Sequence, residues 1–162
     1  MQGRFLIAFF SASPSRRTEK VAHKLADVTG ADLYEIVPAV PYTQDDLNWN
    51  DEKSRSSVEM RDASSRPAIA GERLDLTHYD TIFVGFPIWW YVAPHIINTF
   101  LECYDLTGKT IVPFATSGGS SMGQTAAHLR SSAPGALMKE GRRFEMGETP
   151  MAINSWIAAL GI

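Results

Sequence analysis

Cysteine and surplus positive charge are both scarce in this sequence. Its 162 residues include one cysteine, Cys103, which excludes an internal disulfide and a cysteine-based zinc site because both need several thiols. We expect Cys103 to be a small buried residue on a helix. Fifteen basic residues face 18 acidic ones, and a net charge of −3 argues against a nucleic-acid partner. The four histidines share no ligand spacing, so no metal site is predicted.

Long uncharged runs are equally few. The longest, Thr81–Leu101, has 21 residues and reaches the length of a membrane-spanning helix. Pro87 and Pro94 interrupt it where such a helix needs unbroken backbone pairing, so the run predicts a buried strand, a turn and the start of an amphipathic helix. The N-terminus shows no convincing signal-peptide cleavage site. We therefore expect a cytoplasmic protein with no membrane partner.

Continuous apolar runs alternate with helical patterns along the chain. Strands are predicted at residues 5–10, 33–37, 81–86, 110–115 and 136–138, the last continuing near 142–144. Helices are predicted between them, at residues 21–30, from 94 onward, at 124–131 and at the C-terminus. This alternation predicts one α/β domain over residues 1–162 with a mostly parallel sheet and right-handed crossovers. Pro113, inside the fourth strand, predicts a bulge there.

The alternation stops between residues 38 and 79. Residues 41–67 contain six acidic and four basic residues, and Trp49 is one of their few apolar side chains. A linker to a second domain is one interpretation, and a long functional loop with a short helix near residues 54–60 is the other. An isolated tryptophan favours a loop insertion that folds back onto the domain.

Three strand ends carry unusual sequence. A hydroxyl-rich loop (residues 11–18) follows the first strand, an aromatic loop (residues 86–94) the third and a glycine-rich loop (residues 116–123) the fourth. Ligands of open parallel sheets bind at the carboxyl ends of strands, where the strand order reverses. Hydroxyl groups at a helix N-terminus bind anions, aromatic rings stack on flat ligands, and glycine lets the backbone approach closely. Helix capping and core packing of one tryptophan are the ordinary alternatives for the first two loops.

The glycine-rich loop also contains a G-x-S-x-G match around Ser121, the pattern of a hydrolase nucleophile. No Asp follows Ser121, and the single downstream histidine, His128, precedes every later Glu. A hydrolase triad in its usual order is therefore absent, and no catalytic residue is predicted.

These loops together resemble the flavodoxin family over nearly the whole chain, most specifically through Gly85-Phe-Pro-Ile-Trp-Trp90, Ala93-Pro94 and Pro113-Phe-Ala-Thr-Ser-Gly-Gly119. The resemblance implies a flavodoxin-like three-layer sandwich, with a five-stranded parallel sheet of order 2-1-3-4-5, and a non-covalently bound FMN. The cofactor-binding residues that it implies are Ser11, Ser13, Ser15, Arg17, Thr18, Pro87, Ile88, Trp89, Trp90, Tyr91, Thr116, Ser117, Gly118 and Gly119.

The chain departs from the family pattern in two places. Its first loop is two residues longer than usual and has Pro-Ser-Arg-Arg in place of Gly-Asn, so Arg16 and Arg17 either bind phosphate or stay in solvent. Tyr91 stands where relatives commonly have glycine. A bulky residue there either covers the flavin ring or restricts a rearrangement of the neighbouring peptide.

Three functions remain open at this point. The first is an electron-transfer protein whose FMN serves a redox partner protein. The second is an FMN-dependent NAD(P)H:quinone-type oxidoreductase with a small quinone-like acceptor, favoured by the modest negative charge and by a 38–79 segment with Trp49 as its lid. The third is a binding module that has lost the flavin. A monomer and a homodimer are both compatible with the sequence.

Overall fold

A computed structural model describes residues 4–12, 16–90, 92–116, 122, 125–144 and 147–162. The strands are β1 (Phe5–Phe9), β2 (Asp32–Glu35), β3 (Thr81–Pro87), β4 (Thr110–Thr116), β5 (Leu137–Met138) and β6 (Arg142–Phe144). The helices are α1 (Arg17–Thr29), α2 (Arg55–Arg61), α3 (His95–Glu102), α4 (Thr125–Arg130) and α5 (Pro150–Leu160).

The strands form one parallel sheet in the order β2-β1-β3-β4-β5, with β6 also paired to β4. This confirms the predicted fold class and strand order. The continuous apolar run of β1 is buried on both faces: Leu6 and Ala8 join the core on one side, Ile7 and Phe9 the core on the other. Helix α3 belongs to the first core, whereas α1 and α5 belong to the second. Both faces of the sheet are thus covered by helices, as parallel strands require.

The fifth position of the sheet is split, and Pro113 lies opposite the gap. Strand β4 pairs with β3 without a bulge, Val84 opposite Pro113, so the predicted bulge was wrong. The backbone carbonyl of Ile111 accepts a hydrogen bond of 2.9 Å from the chain just after β5. Residues two apart on a strand have the same orientation, so the nitrogen of Pro113 also faces the β5 side. Its missing N–H therefore costs no pairing with β3, and β5 and β6 leave residue 113 unpaired between them.

The helix boundaries follow local chemistry. Helix α1 ends at Gly30, whose φ of 72° is a left-handed conformation that glycine adopts without strain. Helix α3 ends at Glu102, so Cys103 lies just beyond it and is exposed. The expectation of a buried cysteine was wrong because the helix stops one residue before it. No helix within the described ranges is long and apolar enough to cross a membrane.

The 38–79 segment packs against the sheet domain at several points. Pro38 forms an antiparallel bridge with Ile69, so the chain leaves and returns at one place. Ser65 Oγ lies 2.6 Å from Nδ1 of the buried His95, and Arg66 Nε donates to both carboxylate oxygens of Glu102 at 3.0 and 3.1 Å. These bonds attach the segment to α3.

Candidate functional site

The carboxyl ends of β1, β3 and β4 meet at one edge of the sheet. The hydroxyl groups of Thr18, in the first turn of α1, and Thr116, the last residue of β4, lie 2.8 Å apart, and both residues are buried. The backbone N–H of Ile88, just after β3, donates to the Thr116 carbonyl at 3.2 Å. The structure thus brings together residues that the sequence predicts in all three loops.

Ser11 carries a buried polar group with nothing to bond. Its Oγ is inaccessible to solvent and has no hydrogen-bond partner among the residues described. Buried hydroxyl groups are nearly always bonded, and leaving one unsatisfied costs about 1–3 kcal/mol. An unpaired hydroxyl at the end of β1, where a ligand is expected, therefore points to a polar ligand group.

Arg16 shapes the entry to α1 and does not stand free for an anion. It occupies the N-cap position with a left-handed φ of 55°, and its side chain does not cap the helix. Instead, the guanidinium donates to Glu19 at 2.5 Å, to Glu35 at 2.7 Å and to the carbonyl of Ser11 at 3.1 Å. These carboxylates, Glu35 foremost, raise the pKa of Arg16, so the charge is permanent and already compensated.

Arg17, the next residue, is exposed. It has no ion pair with any described residue. Arg16 thus fits neither alternative left open by the sequence, because it is bonded within the protein, whereas the exposed Arg17 is compatible with both. Glu19 and Glu35 are residues that sequence reasoning missed, because only the fold brings the end of β2 beside α1.

The two adjacent tryptophans have different environments. Trp89 is half-buried and makes edge-to-face contacts with Phe10 and Tyr42, at ring-centroid distances of 5.8 and 5.5 Å. Trp90 remains 46% exposed. Trp89 and Val92 exchange backbone hydrogen bonds at 3.0 and 3.2 Å, and Trp90 lies in the chain reversal between them.

Trp90 adopts a left-handed backbone conformation, with a φ of 51°. That conformation costs a residue with a Cβ about 1–2 kcal/mol relative to the right-handed region. Strain of this kind is concentrated at functional sites. The strained backbone and the exposed indole together mark Trp90, of the two tryptophans, as the candidate for contact with a ligand.

The remaining predicted site residues divide between those with a described position and those without one. Pro87 is the last residue of β3 and lies opposite Thr116 in the register with β4. Ser13, Ser15, Tyr91, Ser117, Gly118 and Gly119 lie outside the described residues.

A second feature borders the aromatic loop. A cleft of about 480 Å³ separates the 38–79 segment from Trp90, and its lining residues are Trp49, Glu52, Ser57, Met60, Arg61 and Trp90. Sequence reasoning identified Trp49 as a lid but missed Arg61 and Glu52, because charged residues in a polar segment carry no signal of their own. Across the described ranges, no group of three or more His, Cys, Asp or Glu side chains is placed to hold a metal ion.

The fold and this edge of the sheet define a flavodoxin-like α/β protein, and comparison with known proteins agrees. The flavodoxin family model matches residues 4–160, and the chain belongs to that family. No match was found among curated proteins.

Several solved structures resemble the chain over almost its full length. A Bacteroides eggerthii protein assigned as a flavoprotein is 47% identical, with a TM-score of 0.93 and 99% of each chain covered. A second, from Bacteroides uniformis, is 45% identical with a TM-score of 0.89, over 98% of this chain and 99% of that one. A flavoprotein in complex with FMN from Lactobacillus acidophilus shares the fold at 23% identity, with a TM-score of 0.69 over 88% of this chain and 93% of that chain.

Proposed function

We propose that this protein binds FMN at the carboxyl edge of its sheet and acts in electron transfer. The observation that carries the proposal is the buried hydroxyl of Ser11, which none of the described residues bonds, at the edge where Thr18 and Thr116 meet. The family assignment and the FMN complex of the Lactobacillus acidophilus flavoprotein, which has the same fold, support it.

The residues present fit a phosphate group. Ser11 has a hydroxyl with no partner in the described part of the chain, and the first turn of α1 has N–H groups that the side chain of its N-cap residue does not satisfy. N–H groups at a helix N-terminus favour anions through both hydrogen bonding and the helix dipole. Ser11 and Thr18 would hold the phosphate, together with Ser13 and Ser15 as the sequence predicts.

Arg16 acts on this site as a positioning residue. By bonding the Ser11 carbonyl, Glu19 and Glu35 simultaneously, it joins the end of β1, the start of α1 and the end of β2. It thereby replaces the glycine expected at a left-handed position with a cation that holds the loop. The phosphate would then be bound by hydroxyl and N–H groups, without a direct arginine contact from this residue.

The aromatic loop would bind the flavin ring. Trp90 offers an exposed indole, whereas Trp89 braces the loop against Phe10 and Tyr42. FMN, when bound, accepts and donates one or two electrons, and the chain supplies binding and orientation. This assignment agrees with the prediction that no side chain is catalytic.

Titration of the flavin-free protein with FMN and with riboflavin tests the proposal. We expect flavin fluorescence to be quenched with a one-to-one endpoint by FMN, and much weaker binding of riboflavin because it lacks the phosphate. Absence of FMN binding at micromolar concentrations would refute it.

The cleft beside Trp90 favours a second candidate, an FMN-dependent NAD(P)H:quinone-type oxidoreductase. A carrier that serves only protein partners has no need of a pocket for a small molecule, and about 480 Å³ lies within the range of ligand pockets. Reduction of the FMN complex by NADPH, measured with and without a quinone, separates the two functions. Steady turnover indicates the oxidoreductase, and slow reduction without turnover indicates the carrier.

A further inference from the structure

The cleft between the 38–79 segment and Trp90 has aromatic walls. Trp49 is 70% exposed and Trp90 46% exposed, and both line it. Large aromatic side chains pack most favourably against another π-system, so two exposed indoles on one cleft indicate a flat ligand.

The walls of the cleft are fixed by hydrogen bonds. Ser54 caps α2 by accepting from the backbone N–H of Ser57, which also lines the cleft. Arg61, at the end of α2, donates from Nη2 to the backbone carbonyl of Glu52 at 2.5 Å. This bond ties the end of the helix to the chain before its start, so the two charged lining residues are held on one short unit.

The charges of the cleft are not compensated by ion pairs. Arg55 and Arg66 of the same segment pair with Glu59 and Glu102. Arg61 has no carboxylate partner, and Glu52 no cationic partner, within the described part of the chain. The cleft therefore offers one strong hydrogen-bond donor and one strong acceptor, with no net charge.

We infer that this cleft binds a neutral planar ring that carries a carboxamide. The indoles of Trp49 and Trp90 stack on the ring, the Arg61 guanidinium donates to the amide oxygen, and the Glu52 carboxylate accepts from the amide N–H. Such a group occurs in free aromatic amides and in the nicotinamide end of a reduced dinucleotide. The statement that this ligand lies beside the flavin rests on the proposed function, because it requires Trp90 to contact FMN. The cleft and its lining do not depend on that function.

Ligand-observed NMR titration of the full chain with benzamide tests the inference, with and without saturating FMN. We expect benzamide to bind in both states. Benzoate should bind less well because it has no N–H to donate to Glu52 and leaves that carboxylate facing a second negative charge, which offsets its attraction to Arg61. Cyclohexanecarboxamide should bind less well because it cannot stack. Displacement of benzamide by NADPH, but not by ADP-ribose, identifies a dinucleotide as the source. Displacement by neither identifies a free aromatic amide.

Variants locate the site within the cleft. Trp49→Ala should weaken benzamide binding at least fivefold, on the scale of ring stacking on aromatic side chains, and Trp49→Phe should restore most of it. Arg61→Gln should weaken it about tenfold, as loss of a charge-assisted hydrogen bond does. Glu52→Gln should reverse the preference for benzamide over benzoate. Arg73→Gln, which alters an exposed arginine stacked on Tyr104 outside this cleft, is the matched control and should change nothing.

Three results would overturn the inference. They are no benzamide binding, binding that none of the cleft variants changes, and binding that FMN abolishes, since the last would make the cleft part of the flavin site. Failure of FMN to bind, with benzamide binding still sensitive to Trp49 and Arg61, would instead refute the proposed function and support the cleft.

Discussion

Arg16 of the first loop (residues 11–18) and Arg61 of the 38–79 segment have opposite environments. In the first loop, Arg16 is neutralised by two carboxylates, and the buried Ser11 hydroxyl has no partner among the described residues. In the 38–79 segment, the hydroxyl groups of Ser54 and Ser57 bond to each other, and Arg61 keeps its charge at the cleft. On the functions proposed above, the sheet domain would bind its ligand through neutral donors, and the segment would bind through charge and aromatic surface.

Removal of the Thr18 hydroxyl tests the first half of this comparison most severely. We expect Thr18→Val to weaken FMN binding about 10- to 150-fold, because a hydrogen bond to a charged group contributes about 1.5–3 kcal/mol. Riboflavin binding should hardly change. Thr29→Val, at the other end of α1, removes a hydroxyl that bonds only to the backbone of Leu25 and Ala31 and should leave FMN affinity intact. Equal losses for FMN and riboflavin would show that Thr18 does not face the phosphate.

Trp90 belongs to both regions, and two substitutions separate its backbone from its ring. Trp90→Ala should weaken FMN binding by about 1–3 kcal/mol, on the scale of base–aromatic stacking. Trp90→Gly should lose the same affinity but unfold at a higher temperature than Trp90→Ala, because glycine relieves the strain of the left-handed backbone. Unchanged affinity in both variants, measured by flavin fluorescence, would place the ring elsewhere.

The adjacent arginines of the first loop provide a matched pair. Arg16→Gln should lower FMN affinity about tenfold, because the loop must then be ordered on binding and fixing one residue costs about 1–2 kcal/mol. Riboflavin affinity should stay the same, which a general loss of folding would not produce. Arg17→Gln should change FMN affinity no more than about threefold, and only at low salt. The opposite ranking would mean that Arg17 is the phosphate ligand.

The contacts that attach the 38–79 segment to α3 should weaken in mild acid, whereas the contacts within the first loop should not. Burial, reinforced by Arg66 and His128, lowers the pKa of His95, although Glu59 opposes this. The unfolded chain therefore takes up a proton that the folded protein resists. The contribution of His95 is complete above its unfolded pKa, about 6.5, and is lost as the pH falls through that value towards the folded pKa.

Urea unfolding at several pH values measures this effect. The free energy of unfolding of the native protein should fall between pH 7 and pH 5.5 more steeply than that of a His95→Gln variant. The other histidines are present in both proteins, so the difference isolates His95. Identical pH profiles would show that His95 is not held in its neutral form.

The sheet was predictable from the sequence because its apolar runs are continuous and interrupted by clear loops. Phe5–Phe9 is buried on both sides of the sheet, and that pattern leaves few alternatives to a central parallel strand. The bulge predicted at Pro113 was wrong because the sequence cannot show which neighbouring strand the missing N–H of this proline faces. Cys103 misled for another reason: one residue at a helix end decides between core and solvent.

The sequence predicted which three loops form the site, but it did not predict the contacts between their residues. Residue types placed hydroxyl groups after β1 and aromatic rings after β3, and the fold brings Thr18 to Thr116. The pairing of Arg16 with Glu35, 19 residues away, depends on the parallel alignment of β1 and β2, which periodicity does not specify. The cleft arises only where the 38–79 segment folds back towards Trp90, and long-range packing of this kind leaves no local pattern.

The bridge between Pro38 and Ile69 makes the segment between them separable from the sheet. Because the chain departs and re-enters at neighbouring positions, a short turn joining these two residues would close the gap without moving a strand. The losses would be the Tyr42 ring, which packs against Phe10 and Trp89, and the bonds of Ser65 to His95 and of Arg66 to Glu102. Exchange of this segment would therefore replace all of the cleft lining except Trp90 and leave the strands of the sheet in place.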